Sequence, residues 1–141
     1  MRFVIAGLAA TLLSGTLVAQ TTPDETAVRA AIMQYFRGHA TGDPNEMRKA
    51  FHPTAHVEGN RDGKFVSWTA EQYASNFNGK PAGDEAARKR TIDRVDMSGD
   101  AAMASATLVH GATTFTDYFV LLKINNEWKI ANKVYSRRPT K

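Results

Sequence analysis

The chain has 141 residues, a formal net charge of +4 and no cysteine. This length suits one domain with a modest core and is too short for two. Without cysteine, disulfides and thiolate chemistry are excluded. The small positive charge and the mixing of basic with acidic residues argue against nucleic-acid binding.

The N-terminal 19 residues have the three parts of a secretory signal peptide: Arg2 supplies a charged start, residues 3–18 carry no charge, and small Ala19 precedes a polar stretch. We expect cleavage after Ala19, which would leave a periplasmic or secreted domain over residues 20–141 with no membrane association. An uncleaved anchor is the alternative, although the apolar run is short for a bilayer and is interrupted by polar residues.

The mature sequence opens with helices. Thr22 followed by Pro23 and two acidic residues is typical of a helix start. Apolar residues then recur at spacings of three and four as far as His39, and the sequence Gly42-Asp43-Pro44 should end this first helix. A short second helix is predicted up to His52, before Pro53. A third is predicted from Trp68-Thr69 through Phe77.

Strands dominate the rest of the chain. Two short strands are expected over residues 55–58 and 64–67, around the turn at residues 60–63. Four longer strands are predicted over residues 89–97, 101–110, 113–124 and 127–137, with short hairpin connections. Helices followed by a strand meander predict an α+β fold in which an antiparallel sheet packs against the N-terminal helices.

The two tightest hairpins set a register, and the register decides which side chains face the helices. Two-residue turns at 111–112 and 125–126 pair Ala106 with Asp117 and Phe119 with Asn132. Small alanines beside isolated polar groups on an apolar face predict a small-molecule pocket. The alternative is that Asp117 pairs with a lysine or a backbone group. The predicted ligand-binding residues are Tyr35, Trp68, Tyr73, Phe77, Ala106, Phe115, Asp117, Phe119 and Asn132.

The opposite sheet face carries apolar and basic residues together, among them Tyr118, Val120, Lys129 and Lys133 in this register. A half-apolar outer face is commonly covered by a second copy of the same chain. We therefore predict a homodimer through this face, with a solvent-exposed face as the alternative.

The segment Phe115 to Tyr135 (FTDYFVLLKINNEWKIANKVY) resembles the C-terminal hairpin of the lumazine-binding branch of the nuclear transport factor 2-like (SnoaL-like) superfamily. The aromatic pair of the first helix, Phe51-His52-Pro53 and the Gly99-Asp100-Ala101 turn agree with it. The resemblance implies a cone-shaped fold with a curved sheet around a long helix, an internal pocket, and frequent dimerisation through the sheet. Relatives of this shape include isomerases, cyclases and dehydratases.

No arrangement of residues names a reaction. Asp117 is a candidate base for isomerase-type chemistry, with Tyr35 or Trp68 as hydrogen-bond donor, because ketosteroid isomerase combines a pocket carboxylate with such a donor. His52 and His56 are spaced for a metal, but Pro53 breaks the helix that would align them. We therefore predict no metal and no cofactor. The expected function is binding of a small apolar or aromatic molecule, with an isomerase, dehydratase or cyclase as the alternative.

Overall fold

The computed structural model describes residues 21–141, so the predicted signal peptide and its cleavage after Ala19 lie outside the described residues. Among the helices of this part of the chain, none is both long and apolar enough to cross a bilayer. The helices are α1 (Pro23–Thr41), α2 (Pro44–Ala50) and α3 (Ala70–Ala74), with a 3₁₀ turn at Glu85–Ala87. The strands are β1 (His56–Arg61), β2 (Lys64–Thr69), β3 (Lys89–Ser98), β4 (Ala101–His110), β5 (Thr113–Ile124) and β6 (Glu127–Pro139).

The ends of the helices follow the predicted capping residues. The Thr22 side chain accepts a hydrogen bond from the Glu25 backbone N–H at 3.1 Å, which satisfies one free donor of the first turn. Gly42 ends α1 in the left-handed region with φ 65°, and Asp43 caps α2 through the Asn45 N–H at 2.8 Å. The predicted boundaries of α1 and the start of α2 are confirmed, but α2 ends at Ala50, two residues before the predicted end at His52.

The third helix is shorter than predicted. Thr69 and Gln72 form a reciprocal capping box at its start, but the helix ends at Ala74. The chain then continues through a turn in which the Phe77 N–H donates to the Ala74 carbonyl. The turn still places the Phe77 ring 5.7 Å from that of Tyr73.

Six strands form one curved sheet in the order β2-β1-β6-β5-β4-β3. Four neighbouring pairs are antiparallel, as predicted, but β1 runs parallel to β6. The sheet is therefore mixed rather than wholly antiparallel. The parallel pair is possible because no tight turn has to join β1 to β6, since β2, α3 and the first three strands of the meander lie between them. The α+β class is confirmed.

One face of the sheet packs against α1. Val28, Ile32 and Tyr35 lie on the buried side of this helix and belong to the same core cluster as Leu121 and Ile130. Each such aliphatic side chain contributes about 1.5–3 kcal/mol when it is removed from water. The core therefore joins the longest helix to the two central strands.

The β4–β5 register is confirmed, with Ala106 opposite Asp117. The β5–β6 register is as predicted only as far as Leu121 opposite Ile130; beyond it the pairing shifts by one residue. Ala131 is the extra residue of this β-bulge, and such a residue reverses the alternation of the strand that follows.

The bulge corrects the predicted faces of β6. Phe119 lies opposite Lys133, not Asn132, and Asp117 lies opposite Tyr135. Lys133 and Tyr135 are consequently buried at 3% and 8% exposure. The prediction that Asn132 faces the helices, and that Lys133 lies on the outer face, was wrong.

Candidate functional site

A cavity of about 440 Å³ lies between α1, the α3 region and the sheet. Cavities of this size accommodate small organic ligands. Its wall is largely aromatic and carries several titratable groups. The lining residues are Tyr35, His39, Arg61, Trp68, Tyr73, Asn76, Phe77, Leu108, His110, Phe115, Asp117, Lys133 and Tyr135.

The structure brings most of the predicted binding residues together in this wall. Tyr35 comes from α1 and Tyr73 from α3, while Phe77 follows the turn after α3. The sheet supplies Trp68 from β2, and Phe115 and Asp117 from β5. Aromatic residues on the helices and strands, together with one polar residue on an apolar strand face, were thus sufficient signals for these six positions.

The other three predicted residues do not line the cavity. Ala106 is fully buried in the core, so its small size does not create the space. Phe119 packs its ring edge-on against Tyr35, at 5.3 Å between centroids. Asn132 is held elsewhere, because its side chain accepts from the His56 N–H at 2.9 Å and donates to Glu58 at 3.2 Å.

A buried ion pair forms the polar centre of the cavity wall. Lys133 Nζ lies 3.1 Å from Asp117 Oδ2, and the two side chains are only 3% and 1% exposed. The ammonium group also lies 5.0–5.4 Å from the ring centroids of Tyr35, Tyr73 and Tyr135. Such cation–π contacts partly replace the water that the ammonium loses.

Hydrogen bonds extend from this pair to a histidine. The Tyr35 hydroxyl donates to Asp117 Oδ2 at 2.7 Å, and the Tyr35 and Tyr73 hydroxyl oxygens are 3.4 Å apart. The Tyr73 hydroxyl is 3.1 Å from His39 Nε2. A connected path for hydrogen bonding therefore runs from Asp117 through both phenols to His39.

Burial shifts the pKa values of this cluster away from their ordinary range. It lowers the pKa of Lys133, an effect that the neighbouring Asp117 charge opposes. It also lowers the pKa of His39 well below its usual value, with the Lys133 charge acting in the same direction. Burial and the Asp117 charge raise the pKa values of Tyr35 and Tyr73. At neutral pH the two phenols keep their protons and His39 is uncharged.

The side of the cavity formed by β1 and β2 is held by stacked groups. Trp68 and Tyr135 stack at 6.4 Å between centroids, and the Arg61 guanidinium lies 5.0 Å from the Trp68 ring centre. Arg61 Nε donates to the Tyr135 hydroxyl at 3.1 Å. Gly59 makes room for the Tyr135 ring, because a Cβ at that position would approach the ring to 2.5 Å.

A second histidine lines another part of the wall. His110 Nε2 is buried and has no hydrogen-bond partner in the described part of the chain. Burial, together with nearby Arg90 and Arg88, lowers the pKa of His110 to about 4. His110 is therefore neutral at pH 7 and leaves a ring nitrogen available to a polar group in the cavity.

Sequence reasoning missed seven of the residues that line the cavity: Lys133, Tyr135, His39, His110, Arg61, Asn76 and Leu108. His39 carried a detectable signal, since it continues the buried face of α1 three residues after Phe36. The position of Lys133 could not be read from the hairpin, because no residue type marks Ala131 as a bulge. In residues 21–141 no three His, Asp or Glu side chains converge as a metal site would require.

The chain matches the family described as "Putative lumazine-binding" over residues 23–136. The chain belongs to this family. Its fold is that of the nuclear transport factor 2-like superfamily, as the resemblance of the C-terminal hairpin implied.

Similar proteins agree with this assignment. A nuclear transport factor 2-like protein of unknown function from Shewanella baltica is 27% identical, with a TM-score of 0.74 over 86% of this chain and 100% of that one. A second, from Silicibacter pomeroyi, is 22% identical, with a TM-score of 0.75 over 84% and 99%. Aldolase FrzH of a Cladobotryum species is 23% identical over 121 residues, which cover 84% of this chain and 95% of the relative.

Proposed function

We propose that this protein is an exported domain that binds a small organic molecule in the cavity between α1 and the sheet. The observation that carries the proposal is a cavity of about 440 Å³ whose aromatic wall surrounds a buried Lys133–Asp117 pair. Binding sites for small molecules commonly combine an apolar wall with a few convergent polar groups. The family description also supports ligand binding as the general role.

The wall indicates the chemistry of the ligand. Phe77, Phe115 and Tyr73 offer flat apolar surfaces that suit a ring or another planar group. The Lys133 ammonium and the neutral ring of His110 can both donate hydrogen bonds to an oxygen atom. We therefore expect a small molecule with an apolar or aromatic body and at least one oxygen acceptor.

Binding is tested by comparing two phenylalanines. Phe77 lines the cavity, whereas Phe65 on β2 is 74% exposed. Replacing Phe77 with Ala should weaken binding of an apolar fluorescent dye at least about tenfold, because burial of such a ring contributes about 1.5–3 kcal/mol. Phe65→Ala is the matched control and should bind as the wild type does. Equal affinity in all three proteins would contradict cavity binding.

Native mass spectrometry of the protein purified from its natural host tests the same proposal directly. A retained molecule should appear as a mass above that of the polypeptide. Phe77→Ala, expressed in the same host, should retain less of it. The residues of the wall indicate only the chemical class of the ligand. The mass of the retained species would give its molecular mass.

A second candidate function is catalysis with Asp117 as general base. Its support is that Asp117 is buried beside a donor, the Tyr35 hydroxyl at 2.7 Å. The similarity to a protein named as an aldolase points in the same direction. Against it, Asp117 Oδ2 is already engaged by both Lys133 and the Tyr35 hydroxyl. Proton exchange at the α-carbon of a bound ketone, lost in Asp117→Asn, would favour this candidate.

Export is proposed from the N-terminal sequence. Residues 1–19 have the order of charge, apolar run and small residue that signal peptidase substrates share. N-terminal sequencing of protein recovered outside the cytoplasm should begin at Gln20 or within a few residues of it. A full-length product retained in the membrane would instead indicate an anchor.

A homodimer is proposed through the outer sheet face, whose composition changes with the corrected register. Five large apolar side chains on this face are 42–61% exposed: Met103, Tyr118, Val120, Leu122 and Val134. A second copy of the chain would remove this patch from water. Lys133, which the hairpin register assigned to the patch, does not belong to it.

A further inference from the structure

The Lys133 amine is presented to the cavity and almost not at all to bulk water. Its side chain is 3% exposed, and its nearest charged neighbour is Asp117 at 3.1 Å. The rings of Tyr35, Tyr73 and Tyr135 surround Nζ at 5.0–5.4 Å. Each of these neighbours also lines the cavity. A molecule bound there would therefore lie beside the amine.

The surroundings of this amine favour reaction as a nucleophile. A lysine attacks only when it is unprotonated, and one with the ordinary pKa of 10.5 is unprotonated in less than about one molecule in a thousand at pH 7. Burial lowers the pKa of Lys133 and so raises this fraction. Asp117 provides an acceptor for the proton that the ammonium must first release.

We propose that the Lys133 ε-amine forms an imine with the carbonyl carbon of an aldehyde or ketone bound in the cavity. The proposal rests on the proposed function, since the carbonyl compound must first enter the cavity. Beyond the proposed function, the imine specifies the atom that forms a covalent bond, Lys133 Nζ. It also specifies the substrate class, which is compounds with an unhindered carbonyl group.

The step balances with the groups present. The Lys133 ammonium gives one proton to Asp117, and the free amine adds to the carbonyl carbon to form a carbinolamine. A proton moves from nitrogen to oxygen within that adduct. Asp117 then returns its proton to the hydroxyl group, which leaves as water. The product is a protonated imine, and its positive charge again faces the Asp117 carboxylate.

The phenols are placed to assist the addition. Tyr35 and Tyr73 remain protonated at neutral pH, and their hydroxyl groups lie within the same hydrogen-bonded cluster as Asp117. A phenol can donate a hydrogen bond to the carbonyl oxygen as negative charge develops on it. The aromatic rings that contact the ammonium would also contact the cationic imine.

Reductive trapping tests the proposal. The purified protein is incubated at pH 7 with benzaldehyde and sodium cyanoborohydride, which reduces a protonated imine to a stable benzylamine. Intact mass spectrometry should show one added benzyl group, and peptide mapping should place it on Lys133. Lys129, a partly exposed lysine of the same strand, is the internal comparison and should be labelled more slowly, because burial lowers the pKa of Lys133.

Two variants separate loss of the amine from loss of the fold. Lys133→Arg keeps a positive charge opposite Asp117 but cannot form an imine, so labelling should be lost. If that variant does not fold, the double variant Lys133→Met with Asp117→Asn removes both charges together and should also escape labelling. Lys129→Arg is the matched control and should be labelled at Lys133 as the wild type is.

Benzyl alcohol separates the imine from simple binding, because it has the same ring but no carbonyl group. Its binding is followed by the fluorescence of the protein, since Trp68 lines the cavity. Binding of benzyl alcohol without benzylation of Lys133 would overturn the imine and leave the proposed function standing. If benzyl alcohol does not bind and Lys133 is not benzylated, both the imine and the proposed function are overturned. Labelling spread evenly over the exposed lysines would also overturn the imine at Lys133.

Discussion

Removing Lys133 should destabilise the protein far more than removing any surface lysine. In Lys133→Met the Asp117 carboxylate, 1% exposed, keeps the Tyr35 hydrogen bond but loses its ionic partner. At 3.1 Å the attraction between the two charges is roughly 5 kcal/mol for an effective dielectric constant of about 20. Removal of one partner of a buried pair typically costs about 3–5 kcal/mol, because the other charge stays buried.

Urea unfolding at pH 7 measures this cost. With a denaturant slope of about 1.5 kcal/mol per molar, a loss of 3–5 kcal/mol lowers the midpoint by about 2–3 M. The matched control is Lys129→Met on the same strand, whose pairing with Glu127 at 3.3 Å is accessible to solvent, so its effect should stay below about 1 kcal/mol. The double variant Lys133→Met with Asp117→Asn should recover much of the loss, since no buried charge is then unpaired.

The result that would refute this reasoning is a small effect in the single variant. If Lys133→Met costs less than about 1 kcal/mol, the pair is hydrated and behaves as a surface pair. A double variant no more stable than Lys133→Met would show that the two residues are not coupled. Either outcome would also remove the electrostatic basis for a reactive amine at this position.

Other parts of the structure give three further predictions. Stability should fall as the pH drops from about 6.5 to about 4. Burial holds the pKa values of His39 and His110 low in the folded protein, whereas the same histidines in the unfolded chain take up protons in that range. Replacing both histidines with Asn should therefore flatten the pH dependence of the melting temperature. Val120→Lys should give a folded monomer in light scattering, whereas a wild-type monomer at micromolar concentration would contradict the dimer. Deletion of Ala131 should cost less stability in urea unfolding than Lys133→Met does, because removal of the bulge residue restores regular alternation and leaves Lys133 and Tyr135 on the inner face. A larger cost would contradict the bulge.

The sequence was sufficient to predict those parts of the fold that depend on local chemistry. Thr22, Gly42 and Asp43 end helices through their own side chains or backbone conformation, so each boundary could be read from a few neighbouring residues. The β4–β5 register was also predictable, because a two-residue turn fixes every pair that follows in an uninterrupted ladder. The aromatic residues of the cavity wall were predictable for the same reason, because the pattern of nearby residues assigned each of them to a helix or a strand.

Features that depend on distant packing were not predictable. The bulge at Ala131 shows only in the pairing of β6 with β5, and alanine is compatible with both a regular strand and a bulge. Because the bulge at Ala131 was not predicted, the prediction placed Asn132 at the cavity where the structure has Lys133. The parallel pairing of β1 with β6 likewise joins segments about 75 residues apart and leaves no signature in either segment.

The bulge and the ion pair together explain why this cavity has a polar centre. The bulge turns Lys133 inward at the position where β5 presents Asp117, and the pair forms because neither charge can be buried alone. Such pairs add little to stability, and apolar residues of similar volume often replace them without loss. Stability therefore does not account for a lysine at this position, whereas the proposed recognition of, or reaction with, an oxygen-bearing ligand would. If the double variant without charges is as stable as the wild type but no longer binds or reacts, the pair acts through the ligand and not through the fold.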